Sequence, residues 1–338
     1  MKTLITFITA CLTLNCAASL RVYWVDVEGG AATLLVTPAG ESILIDTGLP
    51  GDRDPVRINQ LAREVAGLER IDHLVITHFD LDHFGGAADL SKLIPIGTVY
   101  DNGGAPAERL KKLHSEYLAM REGLNYQELK PGDTLPLKQD GTKLEALVLA
   151  SNRKFISFDD WMRENGIFKE PPPRKNEDKS KNGNSIVLHF KLGAFDFLDG
   201  GDLTWNMEEK LVYPRNRVGV VDVFQANHHG LDSSNNPALV RSIEPTVVVF
   251  NNGDRKGCGP ASFQTAKTTP SVKAIYQVHK NLRDDGDVNN TAAAFIANKS
   301  KKNECEAHHI LLETSGDGSR YTLSVPSTNH RAEYVSKP

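Results

Sequence analysis

The feature that most constrains this chain is a cluster of side chains able to bind a metal ion, all between positions 78 and 83. These are His78, Asp80, Asp82 and His83. The apolar run 71–76 directly before them has the pattern of a buried strand, and two glycines follow at 85–86. The cluster is therefore predicted on a loop at the end of a strand, where a rigid sheet can aim the side chains at one point. Imidazole and carboxylate at this density are typical of zinc, manganese or iron sites.

Two later strand ends carry residues of the same kind. Asp202 follows the apolar run 194–198 through a pair of glycines. His228 and His229 follow the buried-strand pattern at 220–224 and precede a glycine. Loops at one edge of stacked sheets can converge although they are far apart in sequence, so three such loops predict one shared metal site.

Composition limits the classes of protein that fit. The chain has 338 residues and 40% hydrophobic content, enough for one large α/β domain or two smaller ones. Its formal net charge of −4 gives no electrostatic reason to expect a dedicated nucleic-acid binder. It does not exclude a nucleic-acid substrate, because a metal site supplies positive charge locally.

The N-terminus has the pattern of a secretory signal peptide. Lys2 precedes an apolar stretch at 4–14, and small residues at 16–18 suit cleavage before Ser19. Residues 1–18 are therefore predicted to be removed on export to the periplasm or outside the cell. The stretch is too short for a comfortable membrane span, and lipidation at Cys16 is the less favoured alternative.

Export leaves Cys258 and Cys305 in the mature chain. An oxidising compartment permits a disulfide between them, and the sequence leaves that pairing open.

Residues 19–338 are predicted to form one domain of alternating strands and helices. The pattern breaks at 151–183, an insertion loop with three successive prolines and a basic cluster, and a C-terminal extension begins at about residue 300. The basic residues of the insertion either meet an anionic substrate or belong to a solvated, flexible loop, which is the more favoured interpretation.

The motifs identify a family. The order H-x-D-x-D-H, then an aspartate after Gly-Gly, then His-His-Gly resembles the metallo-β-lactamase superfamily. The subgroup it most resembles is the hydrolase domain of the DNA-internalisation competence protein (ComEC-type), over roughly residues 20–270. The resemblance implies an α/β fold of four layers, an αββα sandwich with the metal ions at one edge.

The resemblance also implies roles for individual residues. His78 and Asp80 would bind a first metal ion, Asp82 and His83 a second, and Asp202 would bridge them. Either His228 or His229 would complete the second site. A metal-bound hydroxide would be the nucleophile, Asp82 would orient it or handle protons, and the other histidine of the pair, taken here as His229, would steady the developing charge. Zinc is the favoured ion, with one or two ions bound and manganese as the alternative.

The chain departs from the superfamily pattern at the first metal site. Position 80 holds aspartate where histidine is usual, and no histidine lies between residues 115 and 188. The first site is therefore predicted to be poor in nitrogen, which weakens the case for a full di-zinc centre and raises manganese or a single ion as options. His279, Asn251 and Asn252 follow later strands and either line the cleft or have structural roles. His189 is expected on a sheet surface.

Three functions remain open on these grounds. The first is an exported metal-dependent hydrolase of phosphodiester or nucleic-acid-type substrates. The second is an acyl hydrolase acting on a lactone, lactam or thioester, because the same metal chemistry serves acyl transfer. The third is a metal-binding relative without catalysis. No transmembrane segment is expected in the mature chain, and its oligomeric state is not predicted.

Overall fold

The structure is a computed structural model that describes residues 19–337 except 160–161, 169, 172 and 302–303. The predicted signal peptide, residues 1–18, lies outside the described residues. Within the described residues, no helix combines the length and apolar character needed to cross a bilayer.

Among the described residues, the first sheet has nine strands, in the order β17-β16-β15-β1-β2-β3-β4-β5-β6. Its strands pair antiparallel from β17 to β3 and parallel from β3 to β6. The residues that the sequence places in a C-terminal extension supply β15 to β17, so they continue this sheet beside β1. The strand bounds are β1 Arg21–Trp24, β2 Thr33–Val36, β3 Ser42–Ile45, β4 Ile71–Val75, β5 Ile96–Asp101, β6 Asn125–Glu128, β15 Ile310–Thr314, β16 Arg320–Val325 and β17 His330–Val335.

The second sheet, counted over the same described residues, has eight strands, in the order β14-β13-β12-β11-β10-β9-β7-β8. Strands β10 to β14 run parallel, and β9, β7 and β8 pair antiparallel at the other side. The bounds are β7 Leu144–Ser151, β8 Lys154–Phe155, β9 Val187–Leu192, β10 Phe195–Asp199, β11 Val223–Gln225, β12 Val247–Phe250, β13 Ala274–His279 and β14 Ile296–Asn298.

In the part of the chain that the structure describes, seven α-helices cover the outer faces of the sheets. The first continues as a π-helical turn at Leu61–Val65. The helix bounds are α1 Arg53–Gln60, α2 Leu81–Phe84, α3 Ala87–Leu90, α4 Lys111–Glu122, α5 Trp205–Val212, α6 Pro237–Ile243 and α7 Pro260–Thr268.

Strand periodicity explains the four layers. In β3, Ile43 and Ile45 face the core between the two sheets, whereas Leu44 faces the layer under α1, α3 and α4. A third core packs α5, α6 and α7 on the outer face of the second sheet. Alternate residues of a strand point to opposite faces, so such strands are apolar throughout. The predicted αββα sandwich is confirmed.

Trp24 joins the two sheets. Its ring meets that of Phe197 edge to face at 5.8 Å, and its Nε1 donates to Gln225 Oε1 at 2.7 Å. The buried indole therefore contributes apolar contact area without leaving its N–H unpaired. Trp24 is the last residue of β1 and Gln225 is the last residue of β11, so this hydrogen bond joins the two sheets at the strand end that leads to His228.

Candidate metal centre

The loop after β4 brings both of its histidines into the interior. His78 and His83 are fully buried, and their ring centroids lie 4.1 Å apart. Asp80 and Asp82 are partly exposed, and Asp80 Oδ2 lies 3.9 Å from His78 Nε2. The loop thus places its two imidazole rings in the buried interior and its two carboxylates at the solvent-exposed side.

Asp46, directly after β3, fixes this loop from behind. Its Oδ1 accepts from Thr77 N at 2.8 Å, and its Oδ2 accepts from Thr77 Oγ1 at 2.7 Å. Oδ2 also lies 2.7 Å from His83 Nδ1. An ionised carboxylate only accepts, so Nδ1 carries a proton, and Nε2 is the nitrogen at which a metal ion can take the place of the second proton of the imidazolium. That nitrogen faces Asp202 and is available to a metal ion.

Asp202 reaches the centre from the second sheet. Its Oδ2 lies 3.1 Å from His83 Nε2, and its backbone N donates to Ser185 Oγ at 3.1 Å. Ser185 Oγ is also 3.4 Å from His78 Nδ1, so one hydroxyl links Asp202 to the first loop. The predicted convergence of the loops after β4 and β10 is seen in the structure.

The third loop holds two consecutive histidines in the left-handed region. His228 has φ 54° and His229 has φ 54°, a conformation that costs free energy in residues with a Cβ. Glu208 of α5 fixes the turn by accepting from Asn227 Nδ2 at 2.7 Å, Asn235 N at 2.8 Å and Asn236 N at 2.7 Å. Successive residues in this backbone conformation, like successive residues of a helix, project their side chains in different directions.

We expect Gly230→Ala to destabilise this turn. Gly230 has φ +79°, and an added Cβ would lie 2.2 Å from Phe250 Cδ1. Strain and overpacking together predict a loss of roughly 2–4 kcal/mol in the free energy of unfolding. Urea unfolding measures it. Gly219→Ala is the matched control, because Gly219 has φ +85° and nothing within 4 Å of the added Cβ; we expect it to cost about 1 kcal/mol. Equal losses would contradict the packing argument.

The two histidines of this turn have different surroundings. His229 is fully buried, and its Nε2 lies 3.2 Å from Asp82 Oδ2 and 3.5 Å from Asp202 Oδ1. His228 Nε2 lies 3.4 Å from Asp202 Oδ2 and 3.0 Å from Asn182 Nδ2, beside a cavity outside the centre. The sequence left the choice between them open, and the structure brings His229 into closer association with the Asp82 and His83 pair.

Potential ligand atoms form two overlapping sets. His78, His83 and Asp202 make one set, and Asp82, His83 and His229 make the other; within each set the atoms lie within 4.8 Å of one another. His83 is common to both. Asp80 and His228 are at the margin of these sets, and the individual ligand assignments stay predictions.

The unpaired atoms and the charges of the centre fit a divalent cation. His78 Nε2, His83 Nε2 and His229 Nε2 are buried without a hydrogen-bond partner. Burial opposes protonation of His83, but Asp202, Asp46 and Asp82 outweigh it and raise the pKa of His83 well above its usual range. Positive charge is therefore favoured between these carboxylates, and a metal ion can supply it. Imidazole and carboxylate together suit zinc or manganese.

Lys256 was not predicted from the sequence as part of the centre. Its ammonium group pairs with Asp82 Oδ2 at the edge of the centre. The Lys256 loop is held there by hydrogen bonds from Cys258 N to His229 O at 2.8 Å and from Gly259 N to Gly230 O at 2.7 Å. Lysine in a polar loop carries no signal of its own. The position of Lys256 beside Asp82 depends on the hydrogen bonds between its own loop and the turn that holds His229.

The other candidate residues lie away from the centre. Asn252 Nδ2 donates to the backbone oxygen of His279 at 2.8 Å, and His279 pairs with Asp26. Asn251 is buried in the same loop as Lys256. His189 Nε2 lies 2.8 Å from Asp196 Oδ1 on the second sheet, in a cavity away from the metal-type residues. Both cysteines are free thiols in this structure.

Comparison with known proteins agrees with this fold. Residues 25–178 match the family model of the Metallo-beta-lactamase superfamily, so the chain carries a metallo-β-lactamase domain, as its motifs predicted.

The chain is 27% identical over 270 residues to ComE operon protein 3 of Bacillus subtilis (strain 168), an alignment covering 73% of this chain and 30% of that protein. It is 26% identical over 226 residues to Competence protein ComA of Neisseria gonorrhoeae, covering 67% and 26% respectively. It is 28% identical over 239 residues to a UPF0173 metal-dependent hydrolase of Cupriavidus metallidurans (strain ATCC 43123 / DSM 2839 / NBRC 102507 / CH34), covering 68% and 71%.

These relatives confirm the predicted competence-type resemblance and support the predicted enzyme class, a metal-dependent hydrolase. The alignments span less than a third of the length of the two competence-related proteins.

Proposed function

We propose that this protein is an exported metal-dependent phosphodiesterase. His78, His83 and Asp202 would hold one divalent ion, and Asp82 with His229 would hold a second or complete the shell of the first. Asp80 and His228 are further candidates at the margin. A bound ion would lower the pKa of a water molecule and so supply a nucleophile at neutral pH. Zinc is the proposed ion and manganese the alternative.

The observation that carries the phosphodiester assignment is Lys256. Its side chain is 40% exposed, so a substrate can reach it, and its ammonium group lies at the carboxylate of Asp82. A phosphodiester is an anion that repels an incoming nucleophile. A cation fixed beside the centre offsets that repulsion and orients the phosphate oxygens. A neutral lactone or lactam has no such requirement.

The insertion supports this proposal by forming a wall next to His228. Arg174 binds Glu209 of α5 through two contacts, Nε to Oε2 at 2.9 Å and Nη2 to Oε1 at 3.0 Å. Lys175 lies over the ring of Trp205 at 3.6 Å. These two basic residues are held against α5. From the sequence, either contact with an anionic substrate or a place in a solvated loop was open for them.

A cavity of about 270 Å³ opens between this wall and His228, and Lys175, Asn182 and Trp205 line it. Its lining combines a cation, amide groups and an aromatic ring, which are the groups that bind phosphate and stack on bases. We propose that it receives the part of the substrate next to the scissile bond.

Asp82 and His229 are the proposed catalytic pair. Asp82 is held ionised: burial opposes this, but His83, His229 and Lys256 lower its pKa well below the usual range. A carboxylate at that position can orient water and accept a proton. His229 Nε2, 3.2 Å away, is placed to steady negative charge beside it.

Replacing Lys256 tests the substrate class. We expect Lys256→Gln to lower kcat/KM for bis-p-nitrophenyl phosphate roughly 10- to 100-fold, because a charged hydrogen bond to the substrate is lost. The effect should be much smaller on a neutral lactone, and the salt dependence of phosphodiester turnover should weaken. Lys267→Gln, an exposed lysine of α7, is the control. An equal loss on both substrates, or none on either, would count against the proposal.

A substrate panel separates the proposed reaction from the acyl alternative. Purified protein with zinc or manganese restored is assayed on bis-p-nitrophenyl phosphate, single-stranded and duplex DNA, nitrocefin and a lactone. Turnover of phosphodiesters supports the proposal, and turnover of the acyl substrates alone contradicts it.

Export is proposed from residues 1–18 alone, and mass spectrometry of the mature N-terminus in the extracytoplasmic fraction tests it.

A further inference from the structure

A second group of metal-type side chains lies at another junction of the sheets. Asp26 follows β1, His279 ends β13, and Cys305 lies between β14 and β15. Their side-chain ligand atoms lie within 4.8 Å of one another. Asp26 and His279 are fully buried, and Cys305 is partly buried. None of the three belongs to the centre described above.

We propose that Asp26, His279 and Cys305, with Glu28 as a fourth ligand, form a second metal site that selects zinc or a similar borderline ion. One thiolate, one imidazole and carboxylate oxygens make a donor set that zinc accepts in four-coordinate sites. Imidazole and thiolate disfavour calcium and magnesium, which prefer oxygen ligands.

The distances between donor atoms support this site. His279 Nε2 lies 2.5 Å from Asp26 Oδ1, and Cys305 Sγ lies 3.1 Å from Asp26 Oδ2 and 3.2 Å from Glu28 Oε1. Donor atoms of a tetrahedral zinc ion are separated by roughly 3.3–3.5 Å, given bonds of about 2.0 Å to nitrogen or oxygen and 2.3 Å to sulfur. Insertion of an ion therefore requires the donors to move apart by less than about 1 Å.

The charges around the cluster also favour a divalent cation. Arg57 pairs with Asp26 and Glu28, and Arg53 is shared between Glu28 and Asp54. Three carboxylates thus face two guanidinium groups. The carboxylates therefore exceed the guanidinium groups by one negative charge. Loss of the proton from Cys305 raises this excess to two negative charges, which one divalent ion neutralises.

The thiol gives the site a measurable signature. Cys305 Sγ lies within hydrogen-bonding distance of Asp26 Oδ2 and Glu28 Oε1, two carboxylate oxygens that only accept, so without an ion the thiol keeps its proton. A metal ion binds the thiolate and releases that proton. The proposed role is structural: the ion would tie the segment before β15 to the ends of β1 and β13, and so join the two sheets.

Cobalt(II) substitution tests the proposal without any assay of activity. Thiolate bound to cobalt gives a charge-transfer band in the near ultraviolet, whereas the His and Asp ligands of the centre after β4 give none. We expect the full chain loaded with cobalt to show this band and to release protons on loading. We also expect Cys305→Ser to lose the band and about one equivalent of bound metal.

Three further variants make the result specific. Cys258→Ser should keep the band, because that thiol is buried and donates to Asn289 O at 3.1 Å. Asp202→Asn should also keep it, since Asp202 belongs to the other centre. His279→Gln should weaken or remove it, which confirms the site if Cys305→Ser fails to fold. Absence of the band in the parent protein, or its persistence in folded Cys305→Ser, would overturn the proposal.

Discussion

Asp202→Asn is expected to abolish turnover and to remove bound metal while leaving the fold intact. Asp202 Oδ2 lies within 3.5 Å of both His83 Nε2 and His228 Nε2, and Oδ1 lies 3.5 Å from His229 Nε2. Burial opposes its ionisation, but these three histidines lower the pKa of Asp202 well below its usual range. The carboxylate is thus the negative charge shared by all the loops of the centre.

The expected loss of activity in Asp202→Asn follows from the position of this carboxylate between the histidines. The amide of asparagine is neutral and offers one oxygen, so it cannot hold a cation between the two ligand sets. We expect kcat/KM to fall by on the order of 10³-fold or more, because metal ligation and charge stabilisation are lost together. Metal content, measured by mass spectrometry on protein purified without added metal, should fall in parallel.

Asp196→Asn is the matched control, because Asp196 lies on β10, the strand that leads to Asp202. It pairs with His189 and Lys191 on the outer face of the second sheet. Activity and metal content should be unchanged in this variant. If Asp202→Asn alters neither metal content nor turnover, the protein is a relative of these hydrolases whose centre does not act as proposed.

The general position of this centre was predictable from the sequence because strand ends are marked by local patterns. Apolar runs before residue 77, before Asp202 and before His228 predicted strands, and parallel strands place their carboxyl ends at one edge. The four-layer fold followed from the motif resemblance.

The choice between His228 and His229 was not predictable. Adjacent residues of one turn differ in direction through φ and ψ alone, and the left-handed conformation of both has no periodic signal. Glu208, which fixes that turn, lies about twenty residues earlier on a separate helix.

Lys256, Asp26 and Cys305 were missed for a related reason. Lys256 and its partner Asp82 are 174 positions apart, and Asp26 and Cys305 are 279 apart. Such contacts come from the order of strands in the sheets, which local patterns do not encode. The order also explains why residues after 310 complete the first sheet beside β1.

The proton on His83 is the basis of the second large effect, which is expected for Asp46→Asn. In the parent protein the carboxylate accepts from His83 Nδ1, so the lone pair lies on Nε2 and faces Asp202. The amide of asparagine can donate to Nδ1 instead, which moves the imidazole proton to Nε2 and blocks that nitrogen as a ligand. Backbone strain is not added, since Asp46 has φ 61° and asparagine tolerates this region.

We expect Asp46→Asn to weaken metal affinity about 10- to 100-fold, as is typical when the partner of a ligating histidine is changed. Competition with a chelating dye measures the affinity, and ¹⁵N chemical shifts of the imidazole report the tautomer. Asp72→Asn is the control, because Asp72 accepts from Ser42 N at 3.0 Å on the neighbouring strand β3. A loss of stability without a change in the His83 tautomer would show that Asp46 acts as a structural hydrogen-bond acceptor. A changed tautomer with weaker metal binding would show that Asp46 sets which nitrogen of His83 meets the metal.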